Sequence, residues 1–299
     1  LHPTLAKWGT SGLSGAEEAL LRGAINSPNP PMIAAPAAMP PQRGTATTFR
    51  HEIIQNVGMI SPESIRTADE FLENIPVQMR LQLAAPDGAR AVALQLLQGA
   101  AGGTSKPSPF PPASRLPLAL LTIPTLRALP PQQREAFLAE ARALTSTDGV
   151  LSLYEFCGLR LFEKLLDPAS SAKAARGPEF FGFNPLLPDA STIIGALAWC
   201  GTASPEVAHA SWDAGIRTMK ATAPRALQFL PRVEYGTARL TEALDRLAAA
   251  APAIKERVLR GAEAAVRHDG QIALAEYELL RVVALTLDCP MPPLSLVGA

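Results

Sequence analysis

The sequence predicts an all-α protein, a multi-helix array built from two related helical-hairpin halves joined by Pro/Gly-rich linkers. Three observations carry this. Alanine and leucine, the strongest helix formers, are abundant while aromatics make up only 5% of the 299 residues. Apolar residues recur at helical spacing, and no segment sustains the period-two alternation of a strand. Helix-start signals, Ser-Pro-Glu and Ser-x-x-Glu, recur along the chain.

In order, Ser14-Gly15-Ala16-Glu17 reads as a capping box opening a short helix through about Ile25. Six prolines between Pro28 and Pro41 then mark an extended linker, with order resuming near Arg50. Ser61-Pro62-Glu63 supplies an N-cap, a proline preset for the first helical position and an acid at the positive end of the helix dipole. Ile65, Ala68, Phe71 and Leu72 give that helix one apolar face. Pro76 and Pro86 start further helices, the last running through Leu97, and Gly99–Pro112 is a second linker. Pro130-Pro131 opens a helix carrying Phe137, Leu138, Ala141 and Leu144 on one side.

Ser152-Leu153-Tyr154-Glu155 is a further capping box, followed by Leu153, Phe156, Leu159, Phe162 and Leu166. Residues 168–188 read as irregular. Ser204-Pro205-Glu206 copies the earlier start. Helices are expected at about 190–200, 205–221, 236–249, 253–267 and 273–287.

Asp148-Gly149-Val150-Leu151-Ser152-Leu153-Tyr154-Glu155 and Asp269-Gly270-Gln271-Ile272-Ala273-Leu274-Ala275-Glu276 share one pattern: Asp-Gly, an apolar residue, a leucine, then a glutamate. Downstream, Leu159, Leu165 and Leu166 answer Leu280, Thr286 and Leu287, each run ending in Asp167 or Asp288. A duplicated helix–turn–helix follows, its glycine taking a backbone conformation other residues resist. As a calcium loop the pattern falls short. With Gly149 or Gly270 at the sixth position, Leu144 or Ala265 occupies the first, where an oxygen ligand is needed, and Arg267 the third. A capped turn is therefore expected. Asp148, Glu155, Asp269 and Glu276 remain the candidate residues of an alternative, metal-sensing reading.

Lys plus Arg equals Asp plus Glu at 27 each, so the basic surplus that binds phosphate backbones is absent and no nucleic-acid partner is expected. Cys157, Cys200 and Cys289 are sparse, odd in number and without CxxC spacing, as in a reducing compartment; Cys157 and Cys200 read as small core hydrophobes. No apolar run approaches the roughly 20 residues of a membrane span, so no transmembrane segment is expected in this chain. His51-Glu52-Ile53-Ile54-Gln55 has glutamine where a His-Glu-x-x-His helix has its second zinc-ligating histidine, and an amide is a poor zinc ligand. His209 shares a helix face with Trp212, a packing arrangement, while His268 lies in a solvated turn. Neither a Gly-x-Ser-x-Gly elbow nor a phosphate-binding glycine loop occurs. No catalytic residue and no cofactor are assigned to this chain.

Several segments resemble the C-terminal extension of bacterial HtpX-like membrane zinc metallopeptidases of peptidase family M-48. They are Asn56-Val57-Gly58-Met59-Ile60-Ser61-Pro62-Glu63-Ser64-Ile65 running on to the stretch Ala85–Leu97, Leu126-Arg127-Ala128-Leu129-Pro130 with the Asp148…Glu155 pair, and the ending Leu287-Asp288-Cys289-Pro290-Met291-Pro292-Pro293. Leu1-His2-Pro3-Thr4-Leu5 is similar to the His-Pro-x-Leu segment that closes the protease domain in that family.

The resemblance implies residues 1–27 as the tail of an upstream protease domain, 28–50 as linker, 51–168 and 169–188 as first half and connector, and 189–299 as second half. It places the transmembrane helices and the zinc site upstream of this sequence. The expected location is the cytoplasmic face of the bacterial inner membrane. The expected partners are the chain's own protease domain or protein substrates, with this module non-catalytic within a zinc-dependent endopeptidase. The Asp-Gly…Glu hairpins are also similar to TerB-like helical domains, which implies the metal-sensing alternative. A stand-alone hydrolase with an unrecognised site is the third reading, and it requires a pocket holding several perturbed ionisable groups.

Overall fold

The computed structural model describes residues 62–98, 110–145, 152–168, 177–219, 227–270, 272–289 and 291. They contain eleven α-helices: α1 (Pro62–Glu73), α2 (Val77–Ala84), α3 (Pro86–Gln98), α4 (Pro112–Arg127), α5 (Pro131–Thr145), α6 (Leu153–Leu166), α7 (Leu187–Gly201), α8 (Pro205–Thr218), α9 (Thr237–Ala248), α10 (Pro252–Val266) and α11 (Leu274–Thr286). All of them fall in the unit Met32–Ala299. Among the described residues there is no strand, and the one β-type contact is an isolated bridge between Phe180 and Ala250. The expected all-α class is what the structure has.

The helix starts follow the local chemistry. At α6 the Ser152 hydroxyl accepts from the Glu155 N–H at 3.2 Å, while the Ser152 N–H donates to Glu155 Oε2 at 2.8 Å, the expected reciprocal cap. At α8 Ser204 Oγ accepts from the Val207 N–H. α3, α4, α5, α8 and α10 all begin on a proline. The Ser14 and Ser61 caps and the Asp148-Gly149 turn lie outside the described residues. Gly270, in the second Asp-Gly turn, has φ +75°, the left-handed conformation expected of it.

One helix departs from the sequence reading, which placed nothing between the linker ending at Pro112 and the helix at Pro130. α4 fills that interval although Pro117 and Pro124 lie inside it. Each proline removes a donor and crowds the preceding turn. Leu116, Leu118, Ala119, Thr122, Ile123 and Leu126 are nonetheless buried along this helix. Burial of those side chains outweighs the proline penalty, since each buried leucine or isoleucine contributes about 1.5–3 kcal/mol.

Packing organises around two hub helices. In the first half α3 packs on α2, α4, α5 and α6, and α6 also packs on α4 and α5. In the second half α7 packs on α8, α9 and α10. α11 joins the groups, packing against α6 on one side and α7 on the other. It is accordingly buried nearly all round, Tyr277, Leu279, Leu280, Val282, Val283 and Ala284 included.

α8 and α10 meet at a crossing of small residues, Gly215 against Gly261. A methyl group added to Gly215 would sit 2.6 Å from Ile194 Cγ2 and 2.7 Å from the Gly261 carbonyl oxygen. Backbone cannot move aside as a side-chain tip can. Gly215→Ala is therefore expected to destabilise the fold by about 1–3 kcal/mol, read as a lowered urea midpoint at unchanged slope.

Candidate functional site

A groove of about 680 Å³ runs between α6 and α9. Helical periodicity builds both walls: α6 contributes Phe156, Leu159, Arg160 and Glu163, and α9 contributes Thr237, Ala238, Thr241, Glu242, Asp245 and Arg246. Phe156 is anchored in the core at 3% exposure, so the floor is apolar and fixed.

The charges above that floor are largely paired. The Arg160 guanidinium bonds Asp245 across the groove and lies 3.8 Å from Glu163, which also accepts from Arg142 Nε at 2.7 Å. Arg246 donates to Asp189 Oδ2 at 3.0 Å and to the Pro185 carbonyl, and its guanidinium sits 5.1 Å over the Phe180 ring. Burial holds the Asp189 carboxyl above the usual range despite that arginine. Glu242 is exposed, and its charge acts on Arg246 and on Asp189. The lining thus carries two cations against three anions.

The two carboxyl groups raised furthest lie elsewhere, on α11. Glu276 accepts the Ala273 N–H at 2.8 Å, and burial, outweighing that bond, pushes its carboxyl up to about 8, with Asp269 adding to the rise. Burial pushes Glu278 up to about 7 against the opposing fields of Arg281 and Arg115, and its Oε1 has no hydrogen-bond partner among the described residues. Burial also raises the Tyr154 hydroxyl, with Glu278 adding, and lowers the Arg281 guanidinium. Cys157 is raised well above the ordinary thiol range and Cys200 to about 12, chiefly by burial. Cys157 is buried, as expected of a small core hydrophobe, while Cys200 is partly buried.

Below α11, Asp288 takes φ 62° and bridges Lys164 of α6 at 2.7 Å and Lys255 of α10 at 2.9 Å. Burial would raise the Asp288 carboxyl, yet the two ammonium groups hold it below its usual range.

Of the residues proposed from sequence for a metal-sensing site, Glu155 and Glu276 occupy equivalent places, each turning one oxygen to the backbone N–H three residues earlier. Asp269 is exposed in its turn, and Asp148 lies outside the described residues, as does His51. Among the described residues no group of three or more His, Cys, Asp or Glu side chains is placed to hold a metal ion. His209 stacks on Trp212 at 5.7 Å and against Phe229, the packing arrangement expected, and His268 is exposed. The groove itself escaped the sequence reading because Arg160 and Asp245 are 85 residues apart. Its trace in the sequence is the i, i+4 series Thr237, Thr241, Asp245 on one helix, a pattern shared by any solvated face.

Fold and site define a class, an all-α array with a charged groove between two of its helices. Beyond that class, no family model, no curated protein and no solved structure matches the chain. No described helix is long and apolar enough to cross a membrane.

Proposed function

We propose that the chain is a non-catalytic C-terminal accessory module of a membrane-bound zinc metallopeptidase, engaging a protein segment of its substrate or of its own protease domain. The resemblance of residues 50–294 to such extensions supplies the context. In that setting zinc and the membrane anchor belong to the upstream part of the parent protein, and the module lies on the cytoplasmic side.

The observation that carries the reading is the make-up of the α6–α9 groove. Its floor is apolar, its walls bear fixed ion pairs, and the Glu242 carboxylate faces solvent. Charges committed to one another cannot serve as a general acid and base, but they orient an incoming chain. The acids with raised affinity for protons, Glu276 and Glu278, do not line it. A segment presenting an apolar side chain to Leu159 and a lysine or arginine to Glu242 suits this groove.

Thr241→Arg fills the groove and neutralises Glu242 in place. It is expected to weaken binding of the chain to the parent's protease domain, or to a substrate peptide, by about tenfold or more while the unfolding free energy in urea stays within about 0.5 kcal/mol of wild type. Titration by fluorescence anisotropy checks this. Unchanged affinity in the variant would remove the groove from the account.

A further inference from the structure

We infer that Arg115, Tyr154, Glu278 and Arg281 form a second binding site, on α4, α6 and α11, for the two charged ends of a free α-amino acid. None of the four lines the α6–α9 groove, so the inference is independent of it. Their helices are packed together, α6 against both α4 and α11. Arg115 lays its guanidinium 5.2 Å over the Tyr154 ring and donates from Nε to the Phe110 carbonyl at 3.1 Å. Glu278 feels the charges of both Arg115 and Arg281, and its own charge acts on Tyr154. Arg281 stands one helical turn from Glu278 on α11.

What marks the cluster is unspent hydrogen-bonding capacity. Buried polar groups in folded proteins are nearly always bonded. Glu278 is only 9% exposed, yet its Oε1 has no partner among the described residues. Glu276, also buried, spends its carboxyl on the Ala273 N–H. Arg281 makes no hydrogen bond or ion pair among the described residues, although it stands at the spacing from Glu278 that helical ion pairs use. The Tyr154 hydroxyl and the terminal nitrogens of Arg115 are likewise uncommitted there. Apolar side chains at these places would serve packing better.

The chemistry selects the ligand. Two guanidiniums and a phenol offer converging donors to a planar carboxylate. The Glu278 carboxyl needs a donor, which a bare carboxylate or a phosphate lacks and an ammonium supplies. An arriving ammonium also favours the ionised form of Glu278. Two positive groups beside one negative group thus complement a carboxylate and an ammonium on neighbouring atoms, as an α-amino acid carries them. A phosphate would instead set its negative oxygens against Glu278.

Thermal unfolding of the full chain with each common free α-amino acid at about 5 mM tests this, since a ligand of the folded state raises the midpoint. Propionate and inorganic phosphate are run beside them at equal ionic strength. The expected result is a raised midpoint with at least one amino acid and with neither of the two anions. Calorimetric titration with that amino acid then gives its affinity, which Arg281→Gln and Glu278→Gln are each expected to weaken by about tenfold or more. Should Arg281→Gln lower the midpoint of the unligated chain, Glu278→Gln decides, because it puts a neutral group of the same shape in place of an unpartnered buried carboxyl. No response to any amino acid, an equal response to propionate or phosphate, or undiminished affinity in Glu278→Gln would each overturn the inference.

Discussion

Raising the pH from about 5 to about 8.5 is expected to cost the fold several kcal/mol, the reverse of the gain that carboxylates in ion pairs usually provide. The cause is α11. Glu276 and Glu278 have folded-state affinities near 8 and near 7, both above the ordinary value of 4.5, because burial between α6 and α7 penalises the charged carboxylate. The folded chain therefore holds protons that the unfolded chain releases. Stability from these groups is fully present below the unfolded value, falls as pH rises through about 7 and about 8, and levels off beyond. Each unit of difference is worth about 1.4 kcal/mol.

The groups facing these acids set the balance. Arg281 and Arg115 offset part of the cost at Glu278, while Tyr154 and Cys157 share its field. At Glu276 the Ala273 N–H offsets part, while Asp269 adds to the cost and Cys200 lies within its field. Asp288 has the opposite sign: its two lysine partners depress its carboxyl, so its contribution is lost only as pH falls through that lowered value. Urea unfolding at the two pH values checks the prediction. Glu276→Gln with Glu278→Gln keeps an oxygen for the Ala273 N–H and should leave the midpoints nearly equal; an undiminished slope in that double variant would refute the assignment.

Phe162→Ala is expected to cost about 3–5 kcal/mol. Phe162 is fully buried on α6 and meets Phe137 of α5 edge to face, with centroids 5.3 Å apart. The lost volume cannot be refilled, because α6 is gripped by α3, α4, α5 and α11 together. Phe162→Leu, which keeps most of that volume, should cost less than half as much. The comparison of urea midpoints across the two variants separates cavity formation from general loosening. Because α6 also forms one wall of the groove, Phe162→Ala should weaken ligand binding in step with stability, whereas Thr241→Arg weakens binding alone.

What the sequence disclosed and what it withheld follows from the range of the interactions. Helix starts are local, so Pro76, Pro86, Pro131, Ser152 and Ser204 announced their elements within a residue or two. α4 was hidden because Pro117 and Pro124 argue locally against a helix that long-range burial enforces. Glu155 was legible as a cap. Glu276 was legible as its counterpart by position, but its displaced proton affinity arises from α7 and α6 packing around α11, which no spacing reveals. Glu278 carried no signal at all, standing between Tyr277 and Leu279 as any helical glutamate would. The groove depends on Arg160 reaching Asp245 across the fold, a pairing that periodicity does not report.

We propose that this module directs another domain's chemistry without performing any. The direct measurement is peptide cleavage by the full-length parent enzyme beside the same enzyme lacking residues 51–299, with the zinc site intact in both. The truncated enzyme is expected to retain kcat on a short generic peptide but to lose about tenfold or more in kcat/KM on its protein substrates, and Thr241→Arg in the full-length enzyme to reproduce part of that loss. Equal rates on both kinds of substrate would contradict it.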